Sequence, residues 1–153
     1  TGAEAAGARR ESTPWAYRVL ARQLGVEEGT ATPAEELALR PSEVTSCGLP
    51  EDALAIATLE TGVPLLAFDT ERLAGELALR RARDGEELGA EGSVVIADRN
   101  RPVAVLLGER APGVAVTETT ERITLAAVQA KGVGNLAVEE ALWTAIEIMG
   151  EGR

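Results

Sequence analysis

The sequence contains no histidine, and this absence excludes several kinds of chemistry at once. Ser-His-Asp triads, Cys-His pairs and imidazole metal sites all require that side chain. A single cysteine, Cys47, has no partner for an intrachain disulfide and cannot form a thiolate cage, which favours a reducing compartment. No histidine or lysine lies near Cys47 in the sequence, so we expect a plain buried thiol there. We expect no bound metal and no cofactor.

Positive charge is also scarce. The 15 Lys and Arg residues include one lysine, Lys131, and they are outnumbered by 25 Asp and Glu residues, which gives a net charge of −10. Since nucleic-acid binding depends on cations that neutralise phosphates, tRNA is disfavoured as a partner. Residues 1–12 show no apolar run, and no segment approaches the ~20 apolar residues that span a bilayer. We therefore expect a cytoplasmic protein without a signal peptide or a membrane partner.

The length and the apolar content fit one domain. Of 153 residues, 45% are hydrophobic, which suffices for a core and excludes overall disorder. Residues 1–13 lack an apolar pattern and predict a flexible N-terminal arm, so the domain is expected over residues 14–150.

Apolar periodicity predicts an α+β fold with a mixed or antiparallel sheet and flanking helices. The predicted strands cover residues 15–24, 64–69, 73–82, 93–97, 102–107 and 122–129. The predicted helices begin at Thr32-Pro33 and cover residues 51–61 and 135–149. The turn from Asp98 to Arg101 predicts a hairpin between two of the strands.

The last predicted helix has one apolar face. That face comprises Leu136, Val138, Leu142, Ala145 and Met149. The same helix carries Trp143, which as an exposed aromatic would suit a homodimer interface. Packing of the helix onto its own sheet is the alternative.

The generic motifs in the chain are weak. Neither Gly85-Glu86-Glu87 nor Gly132-Val133-Gly134 lies in a strand–GxGxxG–helix frame, so a nucleotide site is not expected. Asp98 and Glu109 are interpreted as solvated turn carboxylates. Arg80, Arg81 and Arg83 are interpreted as a surface charge cluster, because acidic residues follow them at once.

Four segments carry a more specific signal. They are LETGVPLLAFDTERL at residues 59–73, ELALRRARDGEE at 76–87, VIADRNRPVAV at 95–105 and VTETTERITLAA at 116–127. In sequence and in order these segments resemble the editing domain, or B3/4 domain, of bacterial phenylalanyl-tRNA synthetase β chains. The resemblance spans about residues 14–129. The residues that match the family's scaffold are Pro64, Ala67, Phe68, Asp69, Arg80, Gly85, Glu86, Ile96, Asp98, Pro102 and Thr120.

The resemblance implies an activity, and the family's polar pocket residues are missing here. Members of the family hydrolyse the ester that joins tyrosine to a mischarged tRNA. The family's Thr-Asn pair corresponds to Leu54 and Ala55, its histidine to Leu66, and its glutamate to Ala126. Its small-residue segment after the PVAL strand corresponds to a segment that begins at Leu106. Aliphatic side chains cannot bind a tyrosine hydroxyl or position a water molecule.

Three functions remain open at this point. The first is a diverged, stand-alone editing scaffold whose apolar pocket binds a hydrophobic small molecule. Its reaction would be a cyclisation, cycloaddition or isomerisation in bacterial natural-product biosynthesis. Orientation of the substrate would accelerate this reaction, and the sequence identifies no catalytic residue for it. Thr58, Tyr17 and Trp15 are the polar or aromatic groups expected near that pocket. The second function is trans-editing or binding of aminoacyl-tRNA, and the third is a non-catalytic accessory role with the pocket filled as core.

Overall fold

The computed structural model describes residues 15–25 and 49–151. The described residues form two compact units. The helical unit contains the described residues up to Leu66 and those from Ala126 onward, and the sheet unit is Ala67–Leu125. The arm predicted at residues 1–13, the helix predicted at Thr32-Pro33, and Cys47 lie outside the described residues. A single domain over residues 14–150 stays a prediction.

The segment predicted as the first strand is a helix. Residues 15–23 form helix α1, so the prediction of a strand over residues 15–24 is wrong. Tyr17, Val19 and Ala21 alternate as in a strand, but Tyr17, Leu20, Ala21 and Leu24 also follow the i, i+3, i+4 spacing of a helix. Tyr17 is only 1% exposed. Since Tyr17 belongs to both patterns, its burial does not distinguish them, whereas the i to i−4 bond from the Leu24 N–H to the Leu20 carbonyl, at 3.0 Å, is that of a helix.

Two longer helices complete the helical unit. Helix α2 is Leu49–Thr61 and helix α3 is Asn135–Glu151, and the two pack against each other. Glu51 and Asp52 in the first turn of α2 complement its macrodipole. The helix ends where Gly62, with a φ of 75°, donates its N–H to the Thr58 carbonyl at 2.8 Å. Both helices bury alanine side chains completely, which permits a close approach: Ala53 and Ala57 in α2, Ala141 and Ala145 in α3.

One antiparallel strand pair contains residues of both units. It joins β1, Leu65–Asp69, to the last strand of the chain, Ile123–Ala127. The Val128 N–H donates to the Pro64 carbonyl beyond one end of the pair, and the Thr70 N–H donates to the Arg122 carbonyl beyond the other, both at 3.0 Å. Each strand has 5 residues between these two bonds. The register therefore contains no bulge.

The sheet unit is built on a three-stranded antiparallel sheet. The order of its strands is β2, Ala78–Arg81, then β3, Val94–Ala97, then β4, Pro102–Val105. The strand Ile123–Ala127, which pairs with β1, is β5. Single turns of 3₁₀ helix at Thr70–Arg72 and Pro112–Val114 connect the strands. The completely buried side chains of this unit include Phe68, Val95, Val103 and Val114. The predicted α+β class with an antiparallel sheet is confirmed.

The hairpin between β3 and β4 is confirmed, and buried Asp98 holds its turn. The Asp98 carboxylate accepts backbone N–H groups from Asn100 at 2.8 Å, Arg101 at 2.9 Å and Ala74 at 2.8 Å. Burial alone would raise the pKa of Asp98, but these three hydrogen bonds lower it below its ordinary value. The interpretation of Asp98 as a solvated turn carboxylate is therefore wrong. The bond to Ala74 joins that residue to the hairpin turn, outside β2, which at Ala78–Arg81 is shorter than the strand predicted over residues 73–82.

Leu136 is the one residue of the predicted apolar face of α3 that the structure leaves exposed. Leu136, expected on the buried face, is 60% exposed, whereas Ala145 of the same predicted face is completely buried, as is Ala141. Among residues 15–25 and 49–151, no helix has the length and apolar content that a membrane crossing requires.

Candidate functional site

Helix α2 places two of the predicted site residues on its buried face. Leu54 and Thr58 are one helical turn apart and each is only 5% exposed. Ala55, the next residue around the helix, is half-buried. Within the described part of the chain, no hydrogen bond engages the Thr58 hydroxyl. Among the described residues, the Thr58 hydroxyl is thus a polar group without a hydrogen-bond partner on the same helix face as Leu54.

The β1–β5 pair brings two further site residues together. In the register set by Pro64 and Val128, Leu66 lies directly opposite Ala126, which places both side chains on the same face of the strand pair. Both residues are half-buried. The positions that correspond to the family's histidine and glutamate are therefore cross-strand neighbours, and both carry an aliphatic side chain.

Tyr17 serves the packing of this region with its hydroxyl as well as its ring. The Tyr17 hydroxyl donates to the Val128 carbonyl at 2.5 Å, and Val128 in turn donates its N–H to Pro64. The hydroxyl thus binds the strand pair two residues beyond Ala126 and Leu66. Burial raises the pKa of Tyr17 to about 12, although a backbone hydrogen bond from Ala130 acts in the opposite direction. Tyr17 is therefore neutral over the physiological range.

The remaining two predicted residues lie elsewhere. Trp15 begins α1 and is 59% exposed, so its ring is largely on the surface of the helical unit. Leu106 belongs to the sheet unit, where it is buried in the tight turn after β4 and donates its N–H to the Val94 carbonyl. The helical unit accordingly contains seven of the eight predicted residues: Trp15, Tyr17, Leu54, Ala55, Thr58, Leu66 and Ala126.

The residues that match the family's scaffold bind one another. Asp69 accepts hydrogen bonds from the Thr120 hydroxyl at 3.0 Å and from the Glu71 N–H at 3.1 Å. Arg80 and Glu86 form a two-pronged ion pair at 2.6 and 2.9 Å. Hydrogen bonds from Arg80 and from the Arg83 N–H lower the pKa of Glu86 to about 2. These polar side chains hold loops and strand ends in place.

Sequence reasoning did not anticipate this partition of roles. It grouped Arg80 with Arg81 and Arg83 as one charge cluster, whereas Arg80 pairs with Glu86 and Arg81 donates to the Gly92 carbonyl. The spacing in RRARDGEE contains the signal, because a turn from Arg83 to Glu86 brings Glu86 back to Arg80. Such a cluster offers few free cations for a phosphate backbone.

The fold and the residues described above define an α+β domain with a polar, mutually bonded scaffold and an aliphatic candidate site. The chain belongs to the B3/4 domain family, whose model matches residues 37–135. The resemblance of the four sequence segments to this domain is thereby confirmed.

The curated relatives are all larger proteins. The chain is 31% identical over 141 residues to the phenylalanine–tRNA ligase beta subunit of Xanthomonas campestris pv. campestris, covering 84% of this chain and 16% of that protein. The corresponding subunit of Methylococcus capsulatus is 42% identical over 76 residues, which cover 44% of this chain and 10% of that protein. The subunit of Neisseria meningitidis is 33% identical over 122 residues, covering 72% and 14% respectively. The chain spans about a sixth of the relatives' length.

Proposed function

We propose that this B3/4 domain binds a hydrophobic small molecule at an apolar site in its helical unit. One observation supports this proposal above the others. The family's editing pocket has polar side chains at four positions, and this chain has aliphatic side chains there: Leu54, Ala55, Leu66 and Ala126. Three of these four, Ala55, Leu66 and Ala126, keep part of their surface open to solvent. A pocket that had been filled as core would have buried them.

The chemistry of these residues restricts the ligand. Apolar surface favours ligands that remove aliphatic area from water, at about 25 cal/mol per Å². The Thr58 hydroxyl, which no other described residue engages, supports one hydrogen bond, so the preferred ligand has a mainly hydrocarbon skeleton with a single polar group. A charged amino acid ester would leave its ammonium group without a partner at these positions.

A reaction at such a site would depend on orientation. The aliphatic residues cannot transfer protons, so we propose a cyclisation, cycloaddition or isomerisation of a flexible apolar substrate, as in bacterial natural-product biosynthesis. Holding the reacting ends together contributes up to about 7–11 kcal/mol in well-oriented intramolecular reactions. The net charge of −10 and the Arg80–Glu86 pair support this proposal over one with a tRNA substrate.

A neutral apolar dye tests the binding step. Nile red should bind the wild-type protein saturably with a rise in fluorescence, and Ala126→Trp should abolish that binding by filling the space opposite Leu66. The matched control is Ala127→Trp, since this half-buried neighbour on β5 faces the opposite side of the strand pair. Equal effects of the two substitutions would refute the placement of the site.

A deacylation assay tests the contrasting function. We expect no hydrolysis of tyrosyl-tRNA charged on a phenylalanine tRNA above the rate without protein. Hydrolysis that Ala126→Trp removes would show that the site acts on aminoacyl-tRNA and would overturn the proposal.

A further inference from the structure

Helix α3 presents an exposed apolar stripe on the side opposite its buried alanines. Trp143 is 64% exposed, Leu136 is 60% exposed and Ile146 is 45% exposed. Leu136 precedes Trp143 by two helical turns and Ile146 follows it by about one, so the three side chains lie along one side of the helix, with Glu139 and Glu140 in the turn between Leu136 and Trp143. An exposed aromatic centred in such a stripe is typical of an interaction surface.

Glutamates flank this stripe. Glu139, Glu140 and Glu147 are exposed and lie four residues before, three residues before and four residues after Trp143. Helix α3, Asn135–Glu151, contains no lysine or arginine. Of the ion pairs formed within the described residues, none involves these three glutamates. The indole ring is therefore bordered by carboxylates that have no cationic partner in the part of the chain that the structure describes.

We propose that this surface, Leu136–Trp143–Ile146 with its three flanking glutamates, docks a cationic amphipathic helix of another protein. Apolar side chains of that helix would cover the stripe, and its arginines or lysines would pair with the glutamates. An arginine guanidinium can also stack on the Trp143 ring, where the ring quadrupole attracts a cation. Charge complementarity thus selects the partner.

The same charges disfavour a second copy of this chain as the occupant. Two α3 stripes placed face to face would bring three glutamates of each copy together, with no cation on either helix. Like charges at an interface suppress the wrong partner. The homodimer suggested by Trp143 alone is therefore the weaker alternative on this surface.

A designed peptide tests the proposal with the full chain. The probe is a helical peptide of ~18 residues, about five turns, with leucines along one face and arginines beside them. The control peptide carries glutamates in place of the arginines. In a Trp15→Phe variant, Trp143 is the sole tryptophan, and we expect a saturable blue shift of its emission with the arginine peptide only.

Calorimetry with variants assigns the binding to the stripe. Trp143→Ala should weaken binding of the arginine peptide on the order of tenfold or more, and raising the salt from ~0.1 to ~0.5 M should weaken it several-fold. Leu79→Ala is the matched control, because Leu79 is an equally exposed apolar residue in the sheet unit. Reversal of Glu139, Glu140 and Glu147 to lysine should invert the preference, so that the glutamate peptide binds more tightly.

Four results would overturn the proposal. They are no binding of the arginine peptide, equal binding of both peptides, binding that Trp143→Ala leaves unchanged, and self-association in sedimentation experiments that Trp143→Ala removes. The last would assign the stripe to a second copy. Because the reversed variant must gain affinity for the glutamate peptide, misfolding cannot imitate the expected result.

Discussion

Removal of one hydroxyl tests whether Tyr17 holds the helical unit together. The Tyr17 hydroxyl donates to the Val128 carbonyl at 2.5 Å, and both residues are buried. In Tyr17→Phe the ring remains and the carbonyl loses this partner inside the protein. A buried polar group left unpaired costs about 1–3 kcal/mol. Tyr17→Ala also leaves a cavity, so its cost should reach about 3–5 kcal/mol.

The dependence of stability on alkaline pH is a second, independent test of the same hydroxyl. The pKa of Tyr17 rises from 10.0 to about 12 on folding, so the folded protein holds the phenolic proton more tightly than the unfolded chain. The stabilisation is complete below pH 10 and is lost as the pH rises towards 12. At about 1.4 kcal/mol per pKa unit, the loss is on the order of 3 kcal/mol.

Urea denaturation measures both effects. The difference in unfolding free energy between wild type and Tyr17→Phe should be constant from neutral pH to pH 10 and should shrink above it. The Tyr17→Phe variant lacks this phenol but keeps every other group that titrates in the alkaline range. The difference between the two proteins therefore isolates the titration of Tyr17. A cost below about 0.5 kcal/mol, which is typical of surface changes, or a difference that persists through the alkaline range, would refute this role of Tyr17.

Three further predictions concern the scaffold and the site. Asp98→Ala should destabilise the protein by about 1–3 kcal/mol in urea denaturation, because the backbone N–H groups of Ala74, Asn100 and Arg101 lose a charged acceptor. Asp98→Asn, which keeps one acceptor oxygen, should cost clearly less, and equal costs would contradict the hydrogen-bond account. Glu86 stabilises the fold above its ordinary pKa of 4.5, and this contribution disappears as the pH falls to about 2. Glu86→Gln should therefore flatten the acid limb of the stability–pH curve, whereas an unchanged acid limb would exclude that contribution. Thr58→Val should change the unfolding free energy by less than about 0.5 kcal/mol, the range of changes that disturb no specific interaction. A larger loss would reveal a protein partner for the Thr58 hydroxyl.

Much of the fold was predictable from the sequence because several segments carry more than one signal. Helix α2 has acidic residues at its start and Gly62 at its end, and the β3–β4 hairpin has two apolar runs around a polar turn. The structure confirms both, and it confirms the strands β1 and β5 within one or two residues. Helix α1 was mispredicted because its short apolar segment fits periods of 2 and 3.6 equally, and burial of Tyr17 against the Val128 carbonyl is a long-range effect.

The candidate site was less predictable than the fold. The resemblance to the B3/4 family located Leu54, Ala55, Leu66 and Ala126 along the chain, but only the strand register shows that Leu66 faces Ala126. The exposure of Trp143 and of the flanking Glu139, Glu140 and Glu147 depends on which side of α3 packs inward. The predicted apolar face included both Leu136 and Ala145, and complete burial of Ala145 together with Ala141 shows which of the two faces inward.

Restoration of polar side chains tests the central proposal most directly. In the variant Ala55→Asn, Leu66→His and Ala126→Glu, three half-buried positions regain the residue types of the family's editing pocket, while buried Leu54 stays unchanged so that the core is undisturbed. We predict that this variant keeps the wild-type far-UV circular dichroism spectrum and loses saturable binding of Nile red. Retention of wild-type affinity for the dye by the folded variant would contradict an apolar ligand site at these residues.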